Sequence, residues 1–166
     1  MDLVANLVTR RFDHPDARRL NDLVQAEYRE RYDGDGDDTP LDPGMFDPPG
    51  GLFLVAYDEA GLPVGTGGWR GHDAVGAEGY ADGDAEIKRM FVVREARGRG
   101  LARLLLGHLE DSARRAGRTR MVLETGLAQP EAMSLYASSG YALVPEDRKF
   151  GYYRHEPLSR CYAKAL

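Results

Sequence analysis

A glycine-containing junction between an apolar segment and an amphipathic segment has the composition of an anion-binding site. Residues 90–103 read MFVVREARGRGLAR, in which Gly98 and Gly100 separate a predicted strand from a predicted helix. The first backbone N–H groups of a helix have no intrahelical acceptor, and they lie at the positive end of the helix dipole. Three arginines add positive charge at the same point: Arg97, Arg99 and Arg103. Because glycine also allows close approach to the backbone, the junction predicts a site for a phosphate-bearing ligand.

This junction matches neither of two common nucleotide-binding motifs. A Walker A loop requires the pattern GxxxxGK[ST], which the sequence lacks. A Rossmann loop requires a glycine three residues after Gly100, where the sequence has Arg103. Nucleoside triphosphates and dinucleotides are therefore disfavoured as ligands.

Hydrophobic periodicity predicts seven strands and three helices around the junction, in the order β-α-β-β-β-α-β-α-β-β. The strands are predicted at 3–12, 51–57, 62–70, 84–93, 119–124, 141–144 and 158–165, and the helices at 15–32, 99–117 and 130–140. Five residues are placed on the buried face of the second helix: Leu101, Leu104, Leu105, His108 and Leu109. With no repeat or linker, residues 1–166 are predicted to form a single α/β (α+β) domain.

Composition excludes several classes of protein. A net charge of -5 and an isoelectric point near 5.4 disfavour nucleic acid as a partner, because such binding usually needs a basic face. No apolar run approaches the ~20 residues of a membrane-spanning helix. Cys161 is the only cysteine, so it can form no internal disulfide, and we expect a cytoplasmic protein. The histidines lack paired metal-ligand spacing, so no metal is predicted.

Two segments in the second half of the chain together resemble the GNAT superfamily of N-acetyltransferases. The family's central motif, Q/R-x-x-G-x-G/A, is matched by Arg97, Gly100 and Ala102. Its second motif, roughly N-x-x-A-x-x-L-Y-x-x-x-G-F/Y, is matched with glutamine in place of asparagine by Gln129, Ala132, Leu135, Tyr136, Gly140 and Tyr141. The resemblance covers residues 84–144 and implies the acyl-CoA N-acyltransferase fold. In this fold, helices flank a mixed central sheet of about six to seven strands.

The resemblance also implies the cosubstrate and its binding residues. Acetyl-CoA is the acyl donor in this family, and its diphosphate is held by backbone amides that correspond here to Gly98, Arg99, Gly100, Leu101, Ala102 and Arg103. Its pantetheine arm pairs with the preceding strand, which implies contacts with Met90, Phe91 and Val92. Arg97 and Gln129 complete the implied cofactor set. Pairing of the arm requires the strand at 119–124 to diverge from the strand at 84–93.

For the chemistry, the resemblance implies direct transfer of the acetyl group to an amine. An alkylammonium of pKa about 10.4 must first lose a proton, which opposes reaction by about 4 to 5 kcal/mol at pH 7. Glu86 is the predicted general base, because it lies eleven residues before Arg97, as the catalytic glutamate does in histone-type members. Tyr136 is the predicted general acid, which donates its proton to the departing thiolate.

The predicted acceptor carries positive charge. In related enzymes the acceptor cleft lies between the loop after the first helix and the loop before the central strand. Here residues 33–50 contain six aspartates without lysine or arginine, and residues 71–86 contain five carboxylates without lysine or arginine. Negative walls attract cations. We therefore predict a basic small molecule or a peptide amine as acceptor.

Three alternatives stay open. The chain could be a non-catalytic acyl-CoA-binding or sensing module, although both Glu86 and Tyr136 are present. It could transfer a longer acyl group, or it could acetylate an aminoglycoside-type antibiotic. Exposed edge strands are compatible with a homodimer.

Overall fold

Seven strands form one mixed sheet. The computed structural model describes residues 5–74, 76 and 78–166. The strands are β1 (Asn6–Thr9), β2 (Gly51–Tyr57), β3 (Pro63–His72), β4 (Asp84–Val92), β5 (Arg120–Gly126), β6 (Ala142–Leu143) and β7 (Ser159–Ala165). The helices are α1 (Pro15–Tyr32), α2 (Leu101–Arg115) and α3 (Pro130–Ser138). Their order confirms the predicted succession of elements and the α/β class.

The strand order across the sheet is β1-β2-β3-β4-β5-β7-β6. Neighbouring strands are antiparallel except for β4 and β5, which run parallel. This single parallel pair brings the carboxyl ends of β4 and β5 to the same edge. Within the described residues, none of the helices has the length and apolar character needed to span a membrane.

Two sequence predictions differ from the structure in detail. The strand predicted at 3–12 is formed by Asn6–Thr9, and residues 1–4 lie outside the described part of the chain. The placement of Leu104 and His108 on the buried face of α2 is wrong, since both side chains are exposed. The buried stripe of α2 consists of Leu101, Leu105, Leu106, Leu109 and Ala113. Its 3.6-residue period turns position 108 towards solvent.

Helices cover both faces of the sheet. Successive residues of a strand point to opposite faces, and β2 shows the division. Phe53 packs with Leu20 of α1, whereas Leu54 belongs to the cluster that contains Leu105 of α2. Trp69 of β3 joins the α2 cluster, as expected for a strand residue that serves packing.

Strands β4 and β5 diverge after three residue pairs. Their pairing runs from Asp84 opposite Arg120 to Glu86 opposite Val122. Beyond that point β4 pairs, among the described residues, with β3 alone, through Ile87, Lys88, Phe91 and Val92. One edge of the β4 backbone is therefore free of strand pairing, which is the condition that the predicted pantetheine contact requires.

A bulge in β4 accompanies this divergence. Between the pairs Thr66–Phe91 and Gly68–Lys88, β4 has one residue more than β3. Within that interval, Arg89 has a left-handed backbone with φ of 58°. Bulges bend a strand and increase its local twist. The bulge lies in the part of β4 that is no longer paired with β5.

We expect Asp84 to hold the paired end of β4 and β5 together. Its carboxylate accepts two hydrogen bonds from Arg120 at 2.9 Å and one from the backbone N–H of Ala81 at 2.9 Å, and Asp84 is 1% exposed. Asp84→Ala should lower the free energy of unfolding by about 3 kcal/mol, because it leaves these donors unpaired. Urea denaturation measures the loss. Asp82→Ala, at an exposed neighbour, is the control, and equal midpoints for the two variants would contradict the expectation.

Candidate functional site

A cavity of about 360 Å³ opens where β4 and β5 diverge. We call it the loop cavity, because the junction before α2 forms one of its walls. Its lining includes nearly all of the predicted cofactor residues: Met90, Phe91, Val92, Arg97, Gly98, Gly100, Leu101, Ala102, Arg103 and Gln129. Arg99 is the exception, since it is exposed and does not border the cavity. The fold thus brings the two sequence motifs together around one cleft.

The junction presents free backbone donors to this cavity. Among the described residues, no backbone or side-chain acceptor pairs with the N–H groups of residues 98–103. Gly98 and Gly100 have φ of 78° and 81°, a left-handed conformation that other residues rarely adopt. Gly100 also caps α2, so the first amides of this helix lie next to the turn. This arrangement fits a diphosphate group.

Two arginines are held beside the junction. Arg97 Nε donates to the Val92 carbonyl over 2.8 Å, and its Nη2 donates to both carboxylate oxygens of Glu27 at 3.1 and 3.2 Å. Arg103 donates to the hydroxyl groups of Ser138 and Ser139 at 2.7 and 3.2 Å. These contacts connect the junction with α1 on one side and with the end of α3 on the other.

Tyr136 of α3 borders the loop cavity. It is 5% exposed, and its ring packs edge to face against Tyr141 with 5.5 Å between the ring centroids. Burial, with a smaller contribution from Tyr28, raises the pKa of the Tyr136 phenol. The phenol therefore keeps its proton at neutral pH, as a proton donor must.

Glu86 lies in a buried ion-pair cluster and borders neither of the two cavities described here. Its Oε1 accepts from Arg70 Nε at 2.7 Å and lies 3.0 Å from His72 Nε2, while Lys88 Nζ is 3.9 Å from Oε2. Burial by itself raises the pKa of Glu86. The bond with His72 and the charges of Lys88 and Arg70 outweigh burial and bring the pKa to about 2. This geometry does not support the predicted base.

A second cavity of about 310 Å³ adjoins the first. We call it the acidic cavity, because its lining contains five carboxylates, Asp35, Asp37, Asp38, Glu124 and Glu156, and one ammonium group, that of Lys88. Both cavities share Tyr28, Asp37, Lys88, Glu124, Thr125 and Gln129. A ligand in one cavity can therefore meet a ligand in the other.

The loop after α1, the end of β5 and the segment before β7 supply most of the lining of the acidic cavity. Residues of α1, β4, β7 and the N-terminus of α3 complete it: Tyr28, Tyr32, Lys88, Ser159 and Gln129. Hydrogen bonds of Tyr153 connect the segment before β7 with the loop after α1. The Tyr153 hydroxyl donates to Asp37 Oδ1 at 3.1 Å and accepts from the Asp38 N–H at 2.6 Å. Asp37 also pairs with Lys88 Nζ at 3.0 Å. Burial opposes ionisation of Asp37, but the charges of Lys88 and Arg89 prevail and lower its pKa.

The two acidic stretches of the sequence have different positions. The stretch at 33–50 supplies three carboxylates of the acidic cavity, as expected for an acceptor wall. The stretch at 71–86 contributes no described residue to either cavity, so these cavities support only the first of the two predicted walls. Three of its five carboxylates are instead engaged by arginines: Asp73 by Arg118, Asp84 by Arg120 and Glu86 by Arg70.

Glu124 is the residue that sequence reasoning missed. It lies near the end of β5, borders both cavities and accepts a hydrogen bond from the Tyr153 N–H at 2.9 Å through Oε2. Burial raises its pKa to about 7 in spite of the charge of Lys88 and the Tyr153 bond, with further increases from Glu86 and Asp37. Ligands often bind at the carboxyl ends of parallel strands. The position of Glu124, near the end of the strand predicted after α2, could therefore have indicated a functional residue from the sequence.

Comparisons with known proteins agree with this architecture. A family model described as the acetyltransferase (GNAT) family matches residues 17–141. An IAA acetyltransferase of Azospirillum brasilense is 43% identical over 115 residues, which are 69% of this chain and 67% of that protein.

Solved structures share the fold. An acetyltransferase of the GNAT family from Staphylococcus aureus Mu50 has a TM-score of 0.75 at 16% identity, over 98% of this chain and 99% of that chain. N-acetylglutamate synthase of Neisseria gonorrhoeae, in complex with coenzyme A and N-acetyl-glutamate, has a TM-score of 0.65 at 16% identity. That match covers 100% of this chain and 36% of the synthase chain. The family model matches most of the chain, the Azospirillum protein is similar over two thirds of it, and the sheet has the cleft between β4 and β5. This chain therefore belongs to the acetyltransferase (GNAT) family.

Proposed function

We propose that this acetyl-CoA-dependent acetyltransferase transfers the acetyl group to a cationic amine that binds in the acidic cavity. The observation that carries the proposal is the junction of the two cavities. The loop cavity suits the diphosphate of the donor, and the adjoining cavity has five carboxylates against one ammonium group. Its volume of about 310 Å³ lies within the usual range for small-ligand sites.

Donor binding rests on backbone groups. The unpaired amides of 98–103 would hold the diphosphate, with positive charge from Arg97 and Arg103 nearby. The free edge of β4 at Met90, Phe91 and Val92 would pair with the amide groups of the pantetheine arm, as an added strand does. The donor would then run along β4 towards the acidic cavity.

Tyr136 would complete the transfer by protonating the sulfur. The acceptor nitrogen attacks the thioester carbonyl, the carbon–sulfur bond breaks, and the phenol gives its proton to the thiolate. The raised pKa of Tyr136 keeps this proton in place until the thiolate forms. Direct attack requires no enzyme nucleophile. Burial raises the pKa of the Cys161 thiol to about 11, which disfavours a covalent route through that residue.

The acceptor class is tested with a panel of amines at low and high salt. We expect alkylamines and polyamines, which are cationic at pH 7, to have a higher kcat/KM than arylamines, which are neutral at pH 7. The advantage should shrink when ionic strength rises from about 0.02 to about 0.5 M, because exposed charges are then screened. Equal kcat/KM for both groups of amines, with no salt dependence, would overturn the acceptor assignment.

Two exposed carboxylates allow a sharper test of the same proposal. Asp35 and Asp38 line the acidic cavity and are exposed. The double variant D35N/D38N should lower kcat/KM for a cationic amine about tenfold, since each exposed charge is worth up to about 1 kcal/mol. Turnover of an arylamine should stay unchanged. The control is D82N/E59Q, which removes two exposed carboxylates outside both cavities, and an equal loss in this control would refute the local effect.

A further inference from the structure

We propose that Glu124 is the catalytic residue that takes the proton from the acceptor amine, and that Glu86 is a structural carboxylate. The inference rests on the proposed amine acetylation and names the base for it. Position, hydrogen bonding and charge each distinguish the two carboxylates.

Position favours Glu124. The attacking nitrogen has to lie where the thioester end of the donor meets the acceptor, and Glu124 borders both cavities. Glu86 borders neither and is 0% exposed. A proton on a bound amine can therefore reach Glu124 directly or through one water, whereas Glu86 is shielded by the groups around it.

Hydrogen bonding also favours Glu124. Its Oε1 is buried without a partner among the described residues, and its Oε2 accepts only the Tyr153 N–H. The Glu124 carboxylate fits beneath the segment before β7 because Gly151 has no side chain. A Cβ atom on Gly151, whose φ is 96°, would overlap this carboxylate. In Glu86, Oε1 is engaged by Arg70 and His72. Glu86 Oε2 also lacks a hydrogen-bond partner among the described residues, but it lies 3.9 Å from Lys88 Nζ and borders neither cavity. An unused acceptor oxygen beside a ligand cavity is what a proton acceptor needs.

The charged surroundings of Glu124 come from several elements. Lys88 and Glu86 face it from β4, Asp37 from the loop after α1, Tyr80 from the segment before β4, Tyr153 from the segment before β7 and Cys161 from β7. Lys88 is the cation of this set, and burial outweighs it, so the pKa of Glu124 is about 7. Glu124 is thus ionised above pH 7, and activity should rise with pH through that value.

Glu124 accepts one proton from the ammonium group, and the nitrogen lone pair forms the carbon–nitrogen bond at the thioester carbonyl. The carbon–sulfur bond breaks, its electron pair goes to sulfur, and the Tyr136 phenol protonates the thiolate. After the carbon–nitrogen bond has formed, the nitrogen loses a second proton to solvent. Tyr136 takes a proton from solvent in place of the one that it gave to the thiolate. Glu124 then releases its proton to solvent.

The test compares pH profiles of kcat/KM, which report ionisations of the free enzyme. The substrate is an alkylamine whose own pKa lies near 10. The wild type should show a rise centred near pH 7, and Glu124→Gln should lack it and have a kcat/KM about 10²-fold lower at pH 8. Glutamine keeps an oxygen for the Tyr153 N–H, so the variant should bind acetyl-CoA with nearly wild-type affinity by calorimetry. Glu59→Gln, in the exposed β2–β3 turn, is the matched control.

Each outcome decides the proposal. A rise near pH 7 that persists in Glu124→Gln, with turnover like that of Glu59→Gln, would overturn it. Loss of the same rise in a folded Glu86→Gln would return the base role to Glu86. If Glu124→Gln fails to bind acetyl-CoA, Glu124→Asp replaces it, and this variant should keep the rise near pH 7 with reduced kcat. Failure of the proposed function is distinct, because then the wild type acetylates no amine at any pH.

The structural role of Glu86 has its own readout. Its pKa is lowered from the ordinary 4.5 to about 2. A lowered pKa in the folded state contributes stability above pH 4.5, and this contribution disappears as the pH falls towards 2. Thermal unfolding should therefore depend less on pH between about 4.5 and 2 in Glu86→Gln than in the wild type. Identical pH dependence in the two proteins would contradict the structural role.

Discussion

Replacement of Tyr136 by phenylalanine should lower kcat about 10²-fold or more and leave the Kd for acetyl-CoA almost unchanged. The magnitude is that of a lost general acid. The hydroxyl accounts for the effect because phenylalanine keeps the ring, its burial and its packing against Tyr141. Steady-state kinetics with a fixed amine, together with calorimetric titration of acetyl-CoA, separates the two quantities.

Tyr141→Phe is the matched control for this variant. Tyr141 is an adjacent buried tyrosine whose hydroxyl donates to Glu110 Oε2 at 2.7 Å, and it borders neither cavity. Loss of the hydrogen bond from Tyr141 to Glu110 should lower the free energy of unfolding by about 1 to 2 kcal/mol. The kcat of Tyr141→Phe should change little. A Tyr136→Phe enzyme with wild-type kcat would remove Tyr136 from the mechanism.

Ala102→Glu should raise the Kd for acetyl-CoA about 10³-fold without loss of stability. Ala102 is the second residue of α2 and lines the loop cavity beside the unpaired amides. A carboxylate there would lie near the diphosphate, and two like charges about 4 Å apart repel by about 4 kcal/mol near a protein surface. The same carboxylate stabilises the helix, because it lies at the positive end of the dipole. Calorimetry measures the Kd, and urea denaturation measures the stability.

Ala102→Gln separates charge from size in this experiment. Glutamine has nearly the volume of glutamate but no charge, so it should weaken acetyl-CoA binding much less than glutamate does. If both variants weaken binding equally, the effect is steric. If Ala102→Glu binds acetyl-CoA like the wild type, the diphosphate does not lie at this junction, and the proposed donor site fails with it.

The arrangement around Glu86 and Glu124 shows how one fold gives two carboxylates different properties. Glu86 is buried and Glu124 is partly buried, and burial raises the pKa of each. Cationic and hydrogen-bonding partners from β3 and β4 outweigh burial at Glu86. At Glu124 one ammonium group and one backbone N–H do not outweigh it. The difference is a property of neighbours, not of residue type.

The sequence by itself determined the order of the elements and predicted a donor site at the start of α2. Apolar residues such as Leu105 and Leu109 recur with the period of a helix, and this local pattern predicts α2 without tertiary information. Gly98 and Gly100 make their site from consecutive backbone groups at the start of that helix. A site of this kind is visible in a sequence because the residues that build it are neighbours along the chain.

Only the tertiary structure decided which carboxylates border the cavities. The partners of Glu86 on β3, Arg70 and His72, lie 16 and 14 residues away, and the Tyr153 N–H that holds Glu124 lies 29 residues away. For the same reason the sequence did not show that three carboxylates of the stretch at 71–86 pair with arginines of other elements. Desolvation and ion pairing depend on distances through space, and strand pairing sets these distances.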